Sequence, residues 1–350
     1  MKRYFSFIVA LLCCLISASA QTNFIATLQH GESISHFYGQ GAFQDAYGKA
    51  SDGDIITLSP GTFNSIPTFN KSITVRGTGF EAVEKTYING QTINVSSQSQ
   101  ETKTIFEGIY FQNAVQIYKV EGNTPGEIDF IKCLLVNLKH NRYSSNLDYT
   151  DNSPKACFYN CNIWYVGFEY ELHYPNSHFY NCHVADIYTP TALGENLTAF
   201  NNCLIESLTQ PFSNCQSLNF RNCIFVCNND SYKNDTYYNL QSTCIAENCL
   251  SINKPALFKD LKYSHNNKTA NSISNVFKSF TKNYHEGENY ELTDDAKNKY
   301  LGADNTQIGM MGGQYPYTSI VQYPIITTFN VAPKTTKEGK LSIEVAVDGK

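Results

Sequence analysis

Charge is scarce in this chain of 350 residues: Asp, Glu, Lys and Arg together make up 16 % of it. The formal net charge of −5 and the lack of a basic stripe remove the electrostatic footprint of a nucleic-acid binder, so nucleic acid is set aside as a partner. Beyond the signal-like N-terminus no run of about eighteen apolar residues occurs, which excludes a later transmembrane helix. No Pro/Ser/Gly-rich linker divides the sequence before about residue 324, so one elongated domain is expected rather than two. An aspartate-rich Ca²⁺ nonapeptide repeat is also missing. The repeated cysteines lack the close pairing of a tetrahedral zinc cage, so no metal and no cofactor are expected.

At the N-terminus, Lys2 and Arg3 precede an apolar run from Phe5 to Ile16 and then Ala18-Ser19-Ala20. This is the three-part form of an export signal, with cleavage expected after Ala20. The run is shorter than the ~20 residues that cross a bilayer. Cys13 and Cys14 follow Ala10-Leu11-Leu12, not the small pair that precedes a lipidated cysteine, so no lipid anchor is expected. The mature chain is therefore placed outside the cytoplasm: secreted, periplasmic or at the cell surface. Its 24 Tyr and 22 Phe fit stacked aromatics in a large β-structure better than a set of sugar platforms.

One phrase recurs: Phe158-Tyr159-Asn160-Cys161, Phe179-Tyr180-Asn181-Cys182, Phe200-Asn201-Asn202-Cys203 and Phe220-Arg221-Asn222-Cys223. Degenerate copies stand at Phe130-Ile131-Lys132-Cys133 and Ala246-Glu247-Asn248-Cys249. A period near 21 with tolerated insertions is that of a solenoid, each coil one unit and each insertion a rim loop. An inward Phe ends one strand and an inward Cys starts the next. The two residues between them are too few for a helix and suit a tight bend, and Asn is the non-glycine residue best able to take its left-handed conformation.

Stacked coil on coil, Asn160, Asn181, Asn202, Asn222 and Asn248 are expected to form a ladder of side-chain amides, broken at one end by Lys132. Cys161, Cys182, Cys203, Cys223 and Cys249 form a buried column, with Ile163, Val184, Ile205 and Phe225 following on the same inward face. Cys157, Cys215, Cys227 and Cys244 fall outside that column. Of these, Cys227 and Cys244 bracket a Tyr- and Asn-rich excursion and are the candidates for a disulfide, a pairing that spacing alone does not decide.

A short capping helix is expected at Phe43-Gln44-Asp45-Ala46-Tyr47, since a solenoid must cover its terminal strand edge. It is followed by Asp52-Gly53-Asp54-Ile55-Ile56-Thr57-Leu58-Ser59-Pro60-Gly61-Thr62-Phe63 and Lys71-Ser72-Ile73-Thr74-Val75-Arg76-Gly77. Gly302 to Gly309 punctuates the last coils, and one alternating strand carries Leu341, Ile343, Val345 and Val347. The fold class is therefore all-β: a right-handed parallel β-helix solenoid with a short N-terminal capping helix. Its parts are a signal peptide at 1–20, the helix domain with caps at 21–325, and a tail with one strand at 326–350. From the opening, the F-x-N-C coils and the Gly-rich close, residues 36 to 325 resemble the pectin-lyase-like, right-handed β-helix proteins exported by bacteria. The resemblance implies the fold and leaves activity open, because this superfold hosts lyases, hydrolases, adhesins and proteins without chemistry.

The short acidic and His-containing motifs of the fold's hydrolases are not found, and the adjacent Asp294-Asp295 lies beyond the repeats in an expected solvated loop. Lyases of the fold need a Lys or Arg base, often with Ca²⁺ on carboxylates. The nearest constellation is Glu169, Glu171 and His173, which strand alternation puts on one face, with Lys139, His140 and Arg142 one coil earlier as basic partners. Glu169, Glu171, Tyr174 and Arg142 are likewise the candidates for holding a ligand. An ordinary solvated strand face is the competing reading. Three function classes stay open: a non-catalytic glycan or surface-partner binder, a polysaccharide lyase or glycoside hydrolase acting on an acidic or complex glycan, and a structural or adhesive surface component.

Overall fold

A computed structural model describes residues 24–95, 103–119, 126–142, 155–168, 176–189, 198–280, 282, 284–321, 324–331, 339–340 and 343–349. The chain is an all-β parallel solenoid of about seven turns. Each coil contributes one strand to each of two long sheets. The first sheet has twelve strands and runs from Ser33–Tyr38 and Ile25–His30 through Ile55–Leu58 to Tyr263–His265. The second runs alongside it from Gly61–Phe63 to Lys268–Ala270. The expected signal at 1–20 lies outside the described residues. Among the described residues no helix is long and apolar enough to cross a membrane.

The recurring phrase builds the corner between the two sheets. Lys132, Asn160, Asn181, Asn202, Asn222, Asn248 and Asn266 have φ between 51° and 54°, the left-handed conformation that Asn tolerates best after glycine. That turn lets each corner N–H reach the next coil, as Asn160 N to Tyr180 O at 3.0 Å and Asn222 N to Glu247 O at 3.0 Å. Asn266 extends the row by one coil beyond the repeats legible in the sequence.

Inside the corner the phenylalanines stack in register. Phe130 on Phe158, Phe158 on Phe179 and Phe179 on Phe200 have ring centroids 5.0, 4.5 and 4.4 Å apart with planes within 8°. Cys133, Cys161, Cys182, Cys203, Cys223 and Cys249 stand beside them, buried and unbridged. Burial pushes the thiols of Cys133, Cys161, Cys203 and Cys249 up, so they sit in the core as small neutral side chains.

The N-terminal end is covered as a solenoid requires. The hairpin Ile25–His30 with Ser33–Tyr38 pairs antiparallel on Ile55–Leu58, and the helix Ala42–Lys49 packs Ala42, Phe43, Ala46 and Tyr47 into the core. Cys227 and Cys244 are both buried free thiols. The Cys244 thiol donates instead to Cys215 O on the neighbouring coil. The excursion between Cys227 and Cys244 is held by the buried Lys254 ammonium, which donates to Tyr232 O at 2.5 Å and Asp235 O at 2.9 Å.

Two expectations change at the C-terminal end. Asp294 and Asp295 open a short helix, Asp294–Lys299, with the Thr293 hydroxyl accepting from Ala296 N, so they offset its N-terminal partial charge rather than occupy a loop. The Gly-rich segment from Gly302 does not punctuate a coil. It turns back along the Asn corner. Asn181 Nδ2 donates to Met310 O and Gly312 O, both at 2.7 Å, Asn160 Nδ2 donates to Tyr315 O, and Lys132 Nζ donates to Ile320 O at 2.5 Å. The amide ladder is consequently mixed. Asn266 still donates to Asn248 Oδ1 at 2.6 Å, but Asn160 and Asn181 use their amides to hold this covering segment. The strand Ile343–Gly349 pairs antiparallel with Pro324–Val331 in a separate two-stranded sheet.

Candidate functional site

With Phe130, Phe158, Phe179, Phe200 and Phe220 inward, the residues on either side of each must point outward from the first sheet. Register then aligns three outward rows. Lys103, Glu127 and Lys155 form one row, Asp129, Cys157, His178, Ala199 and Asn219 the next, and Tyr159, Tyr180, Asn201, Arg221 and Glu247 the third. This face mixes both signs of charge with aromatic rings, and among the described residues no second layer of core covers it.

At one end Lys103 Nζ lies 2.5 Å from Asp129 Oδ2 and 3.2 Å from Glu127 Oε1, and Lys155 Nζ lies 3.6 Å from Glu127 Oε1. Burial holds the Asp129 carboxyl above the usual carboxylate range despite Lys103 beside it. Burial opposes the charge on Lys103, but the hydrogen bonds and negative charges of Asp129 and Glu127 together outweigh it and keep the ammonium above its ordinary range. In the middle, the Tyr159 and Tyr180 rings stack 5.1 Å apart, and Tyr315 of the covering segment meets both edge-on.

At the other end the small Ala199 leaves a hollow of about 470 Å³, lined by His178, Asn201, Asn219, Arg221, Glu247 and Tyr263 among others. Arg221 Nε lies 2.8 Å from Glu247 Oε2, with the Arg221 side chain 65 % exposed. Tyr263 is 50 % exposed at the rim.

The second sheet presents a different outer face. Leu204, Ile224, Val226, Leu250 and Ile252 on it form a second core with Val276, Phe277, Phe280, Tyr290, Leu292, Ile308 and Met310 from the returning chain. Beneath that layer His183 Nε2 meets Glu206 Oε1 at 2.6 Å with both side chains fully buried, and Asn228 Nδ2 donates to the other Glu206 oxygen. Among the described residues, the side-chain amide of Asn162 beside His183, the His183 Nδ1 atom and the hydroxyls of Tyr290 and Tyr317 are buried without a hydrogen-bond partner. Groups so placed need ordered water. The pair is buried beneath the covering chain, whose Phe280, Tyr284 and Tyr290 rings lie 5.8–6.5 Å from the His183 ring.

Of the residues singled out from the sequence, Glu169, Glu171, His173 and Tyr174 lie outside the described residues, and Arg142 is described only as the last residue of the strand Leu134–Arg142. His140 is not a surface base. It is buried at 6 % exposure, stacked on Phe168 with centroids 4.9 Å apart, and within 3.2 Å of Ser177 Oγ. Burial lowers its pKa to about 4, so it is neutral at pH 7. Lys103, Glu127, Asp129, Arg221 and Glu247 were missed although the signal was present. Once each repeated Phe is fixed as inward, its neighbours on both sides are fixed as outward, and their rows follow.

No protein-family model matches the chain, and no curated protein matches it.

Proposed function

We propose that this is an exported, pectin-lyase-like β-helix that binds an extended glycan along the outer face of its first sheet. The hollow between His178 and Tyr263 carries the reading. Asn201, Asn219, Arg221 and Glu247 offer donors and acceptors for sugar hydroxyls, and the rings of Tyr263 and His178 suit the apolar faces of a pyranose. The rows continue along the axis through Tyr180 and Tyr159, so successive coils meet successive sugars of one chain. Export rests on the tripartite N-terminus, with a mature protein expected to begin at Gln21.

The test is a glycan array followed by titration of whatever ligand it returns. Changing Arg221→Ala together with Tyr263→Ala, two exposed side chains, is expected to weaken binding at least tenfold, about 1.4 kcal/mol, without loss of folding. Unchanged affinity in that variant would remove the hollow from the reading, and the lack of any glycan ligand would favour a structural or adhesive surface role. A second reading, polysaccharide lyase, draws on the mixture of bases and acids on one open face, with Arg221 beside Glu247 and Lys103 between Glu127 and Asp129. Release of unsaturated products from the bound glycan separates it from simple binding.

A further inference from the structure

At the end of the same face farther from the hollow, Glu127, Asp129 and Cys157 each place a ligand atom within 4.8 Å of the other two. Asp129 and Cys157 sit directly opposite each other on adjacent strands and are 4 % and 0 % exposed. Asp129 is more than nine-tenths buried, and while Oδ2 meets Lys103, its Oδ1 has no hydrogen-bond partner among the described residues.

Cys157 is also chemically distinct from the column cysteines. The thiols of Cys161, Cys182 and Cys203 donate to backbone carbonyls inside the coil. Cys157 faces the other way, among the side chains of Lys155, Asp129 and Tyr159.

We propose that Glu127, Asp129 and Cys157 form a binding site for a thiophilic divalent cation of the Zn²⁺ kind, with Lys103 and Lys155 as the tethered cations that neutralise it when empty. One thiolate and two carboxylates suit a borderline-soft ion and disfavour Ca²⁺, which takes oxygen alone. Ligand bonds of about 2.0–2.3 Å require the three atoms to close in slightly, and Glu127 has the length and partial exposure to do so. Binding exchanges the thiol proton for the metal: Cys157–SH and M²⁺ give the metal thiolate and one H⁺ released to solvent. Lys103 and Lys155 keep their protons and swing outward, which their side-chain exposures of 39 % and 43 % allow. Because a proton is exchanged for the metal, affinity is expected to rise with pH. A fourth position stays open to water or a ligand oxygen. The site stands independently of glycan binding.

The experiment is a Co²⁺ titration of the full chain as isolated after export. A near-ultraviolet thiolate-to-cobalt band that is lost in Cys157→Ser, and at least tenfold tighter binding in Lys103→Met, are the expected results. The proposal is overturned by absence of the band in both the parent and Lys103→Met, or by a band of parental strength in folded Cys157→Ser. If Cys157→Ser does not fold, Lys103→Met decides alone, because unchanged cobalt affinity there refutes the exchange of lysine for metal.

Discussion

The corner asparagines Asn160 and Asn181 each fill two roles. Their backbones take φ of 54° and 52°, and their amides hold the covering segment: Asn160 donates to Tyr315 O, and Asn181 to both Met310 O and Gly312 O. Asn181→Val is expected to cost about 1–2 kcal/mol for the left-handed bend and about 1 kcal/mol more for each lost hydrogen bond. Urea unfolding checks this, and Asn181→Gly, which keeps the bend, is expected to lose only the hydrogen-bond part. His140 supplies a second prediction at this scale. Its folded pKa of about 4 lies below the unfolded value near 6.5, so the unfolded chain takes up a proton first as pH falls. The stability from keeping the ring neutral is complete above about pH 6.5 and is lost as pH falls toward 4. The loss is on the order of 3 kcal/mol. His140→Leu is expected to flatten that part of the profile, and an unchanged pH dependence would assign it elsewhere.

At the scale of elements, the covering segment decides how the corner is used. Gly302 lies against Asn222, Gly313 against Asn202, and Gly309 N donates to Asn222 O at 2.8 Å. A side chain at these glycines meets the ladder or the strand beside it. Gly309 has φ 78°, and a Cβ there comes within 2.6 Å of Ile224 Cδ1. Gly309→Ala is expected to destabilise the segment by about 1–2 kcal/mol. Limited proteolysis should then cut between Gly302 and Val321 faster than in the parent while the coils stay resistant. Equal cleavage rates would show that the segment does not depend on close approach at this glycine.

Across the whole molecule, the two sheets share one repeat and differ in what lies outside them. Among the described residues the first carries no apolar cover, and the acidic and basic cluster, the tyrosine stack and the hollow are spread along its axis. The second carries apolar side chains outward at Leu204, Ile224, Val226, Leu250 and Ile252, and the chain from Val276 to Met310 buries them. Hydrophobic area sets this asymmetry, because five apolar side chains on an exposed sheet face would each forfeit about 1.5–3 kcal/mol of burial. The covered sheet hides His183 and Glu206, and the open sheet holds the groups able to meet a partner.

The sequence by itself determined the coil, its inward Phe and Cys columns, the left-handed Asn bend and the N-terminal helical cap. All of these are local: a residue's conformational preference and the period-two alternation of a strand act within one repeat, and copies of the repeat stack identically. The tertiary structure alone decided where residues 302 to 321 lie, why Asn160 and Asn181 turn their amides away from the axial ladder, and that His140 is buried rather than basic. It also decided that Cys227 and Cys244 stay unbridged, with the Cys244 thiol on Cys215 O. These outcomes depend on segments distant in sequence competing for the same surface. Such competition is settled by area and hydrogen bonds that exist only once the coils have stacked.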